Sequence, residues 1–285
     1  MGFLNCFAVK ILLFIVVGCS VTFLHAQELY PYTEPASNMP AHSLSAKLGA
    51  MVERDVHTGK IVQRYMPELM FGINKAWMVH VSATLSNMHG KTFGGESVRL
   101  YTKYRFYSAD EVHRHFRMAA FTTGSYSRNA PLFNELNLWG DQSGMQAGII
   151  ATQLVNKLAV SGTVSHTEIL ARERWKKNTE SNFAWRAFNY SLSAGYLLLP
   201  VNYTNYEQTN VNLYAELLGS RNLGWAVEKQ FLDLAPSIQF IFRSTGKLNL
   251  GYRFQLTGDV NRMATKSFMI SYEHIFLNAL RKHKR

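Results

Sequence analysis

KLNLGYRFQLTGD, Lys247 to Asp259, alternates apolar and polar side chains almost without a slip. Leu248, Leu250, Tyr252, Phe254 and Leu256 share one parity, and Asn249, Gly251, Arg253, Gln255 and Thr257 share the other. Successive side chains on a strand point to opposite faces, so one face is greasy and the other polar, with an arginine at its centre. In a soluble sandwich the greasy face meets a second sheet. In a membrane barrel it meets lipid, and the polar face lines the lumen. The rest of the chain decides between them.

The N-terminus comes first. Lys10 precedes an apolar run, Ile11 to Leu24, which closes on Ala26 before the polar Gln27. This pattern predicts a secretory signal peptide over residues 1–26. The run is shorter than the roughly 20 residues a membrane helix needs. Val16-Val17-Gly18-Cys19 also fits a lipoprotein box, but Val21, Phe23 and Leu24 continue the apolar run, so cleavage after Ala26 is preferred and lipidation of Cys19 stays open. Cys6 and Cys19 are the two cysteines. Both fall in the segment expected to be removed, which excludes a disulfide-stapled fold and cysteine-based metal or nucleophile chemistry.

The chain is 47% hydrophobic, 13% aromatic and 17% charged, the last below the quarter usual for globular proteins. The net charge of +11 is spread along the chain, and an exported protein rarely meets nucleic acid, so no nucleic-acid partner is expected. Gln27 to Met39 holds two prolines and no clean period. Residues 27–42 therefore read as an irregular lead-in, 43–277 as one β domain and 278–285 as a basic tail.

Period-two patterning predicts twelve strands: 43–54, 61–73, 76–88, 95–107, 113–126, 143–155, 158–171, 183–198, 207–219, 229–242, 247–258 and 266–277. Most exceed the five or six residues usual in soluble sheets and suit a tilted crossing of a bilayer. Connections after strands two, four, six and ten are short, and most of the others are longer, the longest from Arg128 to Gly140. His57 to Lys60 and Pro200 to Tyr206 depart from this sorting. Short turns on one side and long loops on the other predict an all-β, transmembrane, antiparallel up-and-down barrel of about twelve strands, with both chain ends on the short-turn side.

QELYPYTEPASNMP, MFGINKAWMVH, YTKYRFYSADEVHRHFRMAAF, GIIATQL and LGYRFQL resemble an uncharacterised group of outer-membrane β-barrel proteins of Bacteroidota type. More distantly they are similar to the outer-membrane family named for the meta-pathway of phenol degradation, which is transport-related. The resemblance implies a barrel in the cell outer membrane and brings no catalytic or ligand-binding residue.

The polar parity supplies lumen candidates: Glu68, Arg99, Lys103, Arg105, Arg117, Glu216, Asp233, Arg253 and Glu273. A lysine or arginine facing lipid at mid-membrane costs about 2–4 kcal/mol, which fixes the strand register. On the fourth strand this puts Val98, Leu100, Thr102, Tyr104 and Phe106 outward and Arg99, Tyr101, Lys103, Arg105 and Tyr107 inward. Either these charges pair across the lumen or unpaired cations line a path for anionic or polar solutes. Trp77, Tyr196, Tyr272 and Phe276 are candidates for the membrane interface. Pro67 and Pro236 fall within strands of a closed barrel, which predicts a bulge or a rim position at each.

His80-Val81-Ser82 places a histidine and a serine on one face, the spacing of an outer-membrane phospholipase, but no third, orienting group is identifiable and the pair opposes the greasy face. His113 and His115 suit a solvated turn, so no metal, cofactor or enzyme activity is expected. The expected function is a channel or facilitator for small solutes, the resemblance adding hydrophobic or aromatic ones. The alternative is a non-conducting structural, adhesive or partner-binding barrel acting through its loops. Expected partners are outer-membrane lipid and lipopolysaccharide and a small-molecule solute; for Arg172, Arg174, Lys176 and Lys177 a solvated rim is the default, and contact with lipopolysaccharide phosphates belongs to the alternative reading.

Overall fold

The computed structural model describes residues 30–90, 92–129, 132–170, 183–201, 207–224 and 229–281. The segment read as a signal peptide with its cysteines, the cations at 172–177 and the end of the basic tail lie outside the described residues.

Twelve strands form a closed antiparallel barrel in which each pairs with its sequence neighbours and β1 closes on β12. They are β1 Ser43–Arg54, β2 Ile61–Gly72, β3 Trp77–Ser86, β4 Gly94–Asp110, β5 Arg114–Ser127, β6 Gly144–Val155, β7 Leu158–Ile169, β8 Arg186–Leu199, β9 Asn210–Asn222, β10 Gln230–Phe242, β11 Gly246–Gly258 and β12 Lys266–Phe276. No strand edge is left open, so every ladder donor and acceptor has a neighbouring strand to meet.

The apolar parity is turned outward. Leu100, Val81, Leu192, Tyr252 and Ile270 are each more than 40% exposed, midway along their strands. The opposite parity is buried and polar: Lys103, Glu216 and Gln239 are 0% exposed, and Asp233 1%. This inversion of an ordinary globular protein is what a barrel surrounded by hydrocarbon requires.

Four register shifts fall near strand ends among the described residues, at Thr84/Leu85, Arg105/Tyr107, Leu197/Leu199 and Leu232/Asp233, and two of them move residues whose parity reads as inward. Between Arg105 and Tyr107 the pairing skips Phe106, so Tyr107 pairs with Met118, is 49% exposed and packs on Phe116 rather than facing the lumen. On β11 the pairing skips Leu256 and sets Thr257 opposite Leu232, away from the inward row of Gln255. A single extra residue flips everything beyond it.

The prolines take neither of the expected forms. β2 pairs with β3 at Tyr65 and at Glu68 but not at Met66 and Pro67 between them. β10 pairs with β11 at Leu234 and at Ser237 but not at Ala235 and Pro236. Both gaps hold equal numbers of residues on the two strands, so there is no bulge. Each proline lacks an N–H, and the ladder simply opens on one side of it.

The lead-in turns back into the barrel. Tyr30 and Ala36 are 4% and 0% exposed. Gly251, the first of two glycines in the opening stretch, makes room for it: a β-carbon there would lie 2.7 Å from the Tyr32 ring. What reads as an irregular segment is an internal plug.

Candidate functional site: a charged chamber between two inserts

The lead-in is fastened by two buried side chains from opposite walls. Lys103 of β4 reaches Glu34 Oε2 at 3.3 Å and donates to the carbonyls of Pro35 and Ser37 at 2.7 and 2.9 Å. Glu216 of β9 accepts from the backbone N–H of Tyr32 at 3.0 Å and from the Thr33 hydroxyl at 2.6 Å. Arg117 donates to Ser37 Oγ, and the Ala36 N–H donates to Thr152 Oγ1. A segment without secondary structure has to satisfy its backbone groups this way when buried.

From the long-loop end a second insert enters, the β5–β6 connection. Glu135 binds Arg253 at 3.3 Å and Arg262 at 3.0 Å. Arg262, from the β11–β12 connection, also grips Asp233 at 2.8 Å. Asp141 pairs with Arg64 at 2.9 Å, and the Arg99 guanidinium lies 3.3 Å from the centre of the Trp139 ring, a stacked cation–π contact. Burial works against the charge on Glu135, but Arg262 and Arg253 outweigh it and hold its carboxyl below the usual range. At Asp141 burial outweighs Arg64 and lifts the carboxyl to about 6.

Between the inserts lies a cavity of about 370 Å³, lined by residues 30–34 of the lead-in, 133, 135–139 and 141 of the loop, and the inward faces of the strands. The inner face of the barrel carries a ladder of charge, of which Lys47, Glu68 and Arg99 line the cavity. Lys247, Glu273, Lys47, Glu68, Ser82 and Arg99 are successive cross-strand partners on β11, β12, β1, β2, β3 and β4. Lys247 meets Glu273 at 3.5 Å, and Arg99 meets Glu68 at 3.4 Å. Ser45 donates to Glu273 at 2.8 Å. Asp233 and Arg253 meet at 2.6 Å. Arg105, near the short-turn end, makes no ion pair within 4 Å among the described residues.

The ring-bearing residues Trp77, Tyr196, Tyr272 and Phe276 lie on the outer surface, 43–50% exposed, and Trp77 packs on Tyr104 with ring centres 4.7 Å apart.

His80 and Ser82 face the interior, buried to 2% and 5% exposure. The orienting carboxylate that the linear pattern does not reveal is Glu68, whose Oε1 lies 2.8 Å from His80 Nδ1. It comes from the neighbouring strand, where only the register identifies it. Ser82 Oγ accepts from Arg99 at 3.3 Å, and His80 Nε2 has no hydrogen-bond partner. The contact between base and nucleophile that covalent catalysis needs is therefore not made. Among the described residues no group of three or more metal-ligating side chains converges.

No protein-family model matches the chain, and no curated protein sequence does. Among solved structures it is similar to an outer-membrane channel from Pseudomonas putida F1, with a TM-score of 0.56 and 11% identity over 87% of this chain and 100% of that one. It is also similar to the KdgM porin, with a TM-score of 0.49 and 8% identity over 81% of this chain and 99% of that one. The NanC porin gives 0.49 and 10% identity over 81% and 98%. At such identities the likeness is one of fold.

Proposed function

We propose that the chain is an outer-membrane channel or facilitator for small solutes, exported by its N-terminal segment, and that the lead-in and the β5–β6 loop govern passage. The carrying observation is the chamber. A barrel that served only as a wall would fill its lumen with interlocking side chains, whereas this one keeps about 370 Å³ of space lined by charged and aromatic groups. The fold shared with a channel of Pseudomonas putida F1 supports the same reading. So does the resemblance to the transport-related family, which adds hydrophobic or aromatic molecules as candidate solutes. The aromatic side chains on the outer surface would anchor at the headgroup level.

Purified full-length protein in planar bilayers is expected to show small, infrequent conductance steps, because both inserts stand in the path. Neutralising Arg99, Lys103 and Arg105 together is expected to change the ion selectivity of those steps. Complete silence of the folded protein, together with silence after removal of residues 30–41, would end the proposal.

A second reading has its own observation. Both inserts are tied down by ion pairs to buried cations, Glu34 to Lys103 and Glu135 to Arg262, as expected for a static, non-conducting barrel that acts through its loops. The same pair of recordings separates the two.

A further inference from the structure

We infer that the chamber is a binding site for a small molecule with a single anionic group and a flat apolar body, seated against Lys47. The inference rests on the transport reading for its purpose but not for its test.

The argument is one of charge and of unmet hydrogen bonds. Around the lower half of the chamber Lys103 is matched by Glu34, Lys247 by Glu273 and Arg99 by Glu68. Lys47 is left over. It lines the cavity between Glu68 and Glu273 in the ladder and makes no ion pair within 4 Å among the described residues. The fields of Glu34 and Glu68 reach it, yet both carboxylates already have closer partners. No carboxylate among the described residues meets the Lys47 ammonium group within 4 Å, so this one cation of the lining faces the cavity without an ion partner. A half-buried ammonium group gains from a direct carboxylate partner, and an anion from outside would supply one.

Two further groups point the same way. Tyr101 and His80 both line the cavity, 5% and 2% exposed, and Tyr101 Oη and His80 Nε2 have no hydrogen-bond partner. Native proteins seldom leave buried polar atoms unsatisfied without a use for them. Tyr101 stacks on Phe121 with ring centres 5.6 Å apart, and Trp139 roofs Arg99, so flat apolar surfaces flank the polar groups. At the other end of the inward row of β1, Glu53 lines the chamber without an ion-pair partner among the described residues. Its carboxylate would repel an anion and turn the charged end of a guest toward Lys47. The volume, near the lower limit for ligand pockets, admits a molecule of about ten non-hydrogen atoms.

Benzoate is the probe, with benzyl alcohol and benzylamine as neutral and cationic counterparts of the same shape. Detergent-purified full-length protein, shown to be folded by its heat-modifiable gel mobility, is equilibrated overnight with radiolabelled benzoate by dialysis. Saturable binding of one benzoate per chain is expected, unaffected by equal concentrations of the alcohol or the amine. Lys47→Gln should weaken it at least about tenfold and Tyr101→Phe about threefold, as for a charged and a neutral hydrogen-bond donor, while Lys47→Arg retains it. Glu53→Gln should not weaken it.

Absence of saturable binding overturns the inference. So does equal competition by benzyl alcohol, or undiminished binding by folded Lys47→Gln. If that variant does not fold, Tyr101→Phe binding as tightly as the parent decides against the site. Solute-driven swelling of reconstituted vesicles is read separately. Binding without swelling removes transport and leaves the site, and swelling without binding does the reverse.

Discussion

At the scale of single residues, the interior is organised by charges that would be intolerable alone. Lys103 is wholly buried, and its ammonium group is divided among one carboxylate and two carbonyls of the lead-in. Lys103→Met removes the ammonium and strands Glu34, and breaking a buried pair in this way costs roughly 3–5 kcal/mol. The cost belongs at the lower end, because the Glu34 side chain keeps 30% exposure. The expected result is a lead-in open to proteolysis, checked by limited digestion of the detergent-solubilised protein and N-terminal mapping of the product. Glu216→Gln retains an acceptor for Tyr32 and Thr33 and should loosen the segment less; equal or greater digestion of that variant contradicts the assignment. Glu135 supplies the pH dependence. Its carboxyl is held below the ordinary 4.5 by Arg262 and Arg253, against the opposing effect of burial. A depressed acid stabilises the folded form above its unfolded pKa and loses that contribution as pH falls through the folded value. The loop should therefore stay seated down to about pH 4.5 and release below it. Trp139 fluorescence, followed on acidification, should show a transition that Glu135→Gln no longer shows.

At the scale of elements, two segments without regular structure do what the strands cannot. Twelve strands enclose more width than their own side chains fill. The space is taken by residues 30–42 from one end and by the β5–β6 loop from the other. The two are held independently, the first by Lys103 and Glu216, the second by Arg64, Arg253 and Arg262. Deleting residues 30–41 should leave the barrel folded and raise its mean conductance several-fold without removing the loop. Conductance measured in planar bilayers that is unchanged by the deletion would place the constriction elsewhere. The two proline gaps weaken the ladder locally, between β2 and β3 and between β10 and β11, without altering the strand count.

At the scale of the whole molecule, lipid and lumen are one residue apart along every strand. Leu100 is 54% exposed and its neighbour Arg99 lies over Trp139 inside the barrel. Leu100→Arg should destabilise folding into lipid vesicles by about 2–4 kcal/mol, the cost of an arginine against hydrocarbon. Denaturant titration in the presence of vesicles measures it, and an unchanged midpoint would remove lipid from that face. Closure of β1 on β12 unites the ends of the chain and completes the ladder from Lys247 to Arg99, a row of charge drawn from residues as far apart in sequence as 47 and 273.

The amino-acid sequence by itself determined the strands, which end within three residues of their expected limits, and the sidedness of the wall. Both follow from a period-two pattern that is local and repeats along the chain. The bulges beside Tyr107 and Thr257 escaped it, because an inserted residue changes parity without changing composition. Only the tertiary structure decided what occupies the lumen. The partners Glu34 and Lys103, Glu68 and His80, and Glu135 and Arg262 come together through strand register and two folded-back segments. Register and insertion are settled by the closure of the whole barrel, where buried charges find opposite charges, and no short window of residues carries that information.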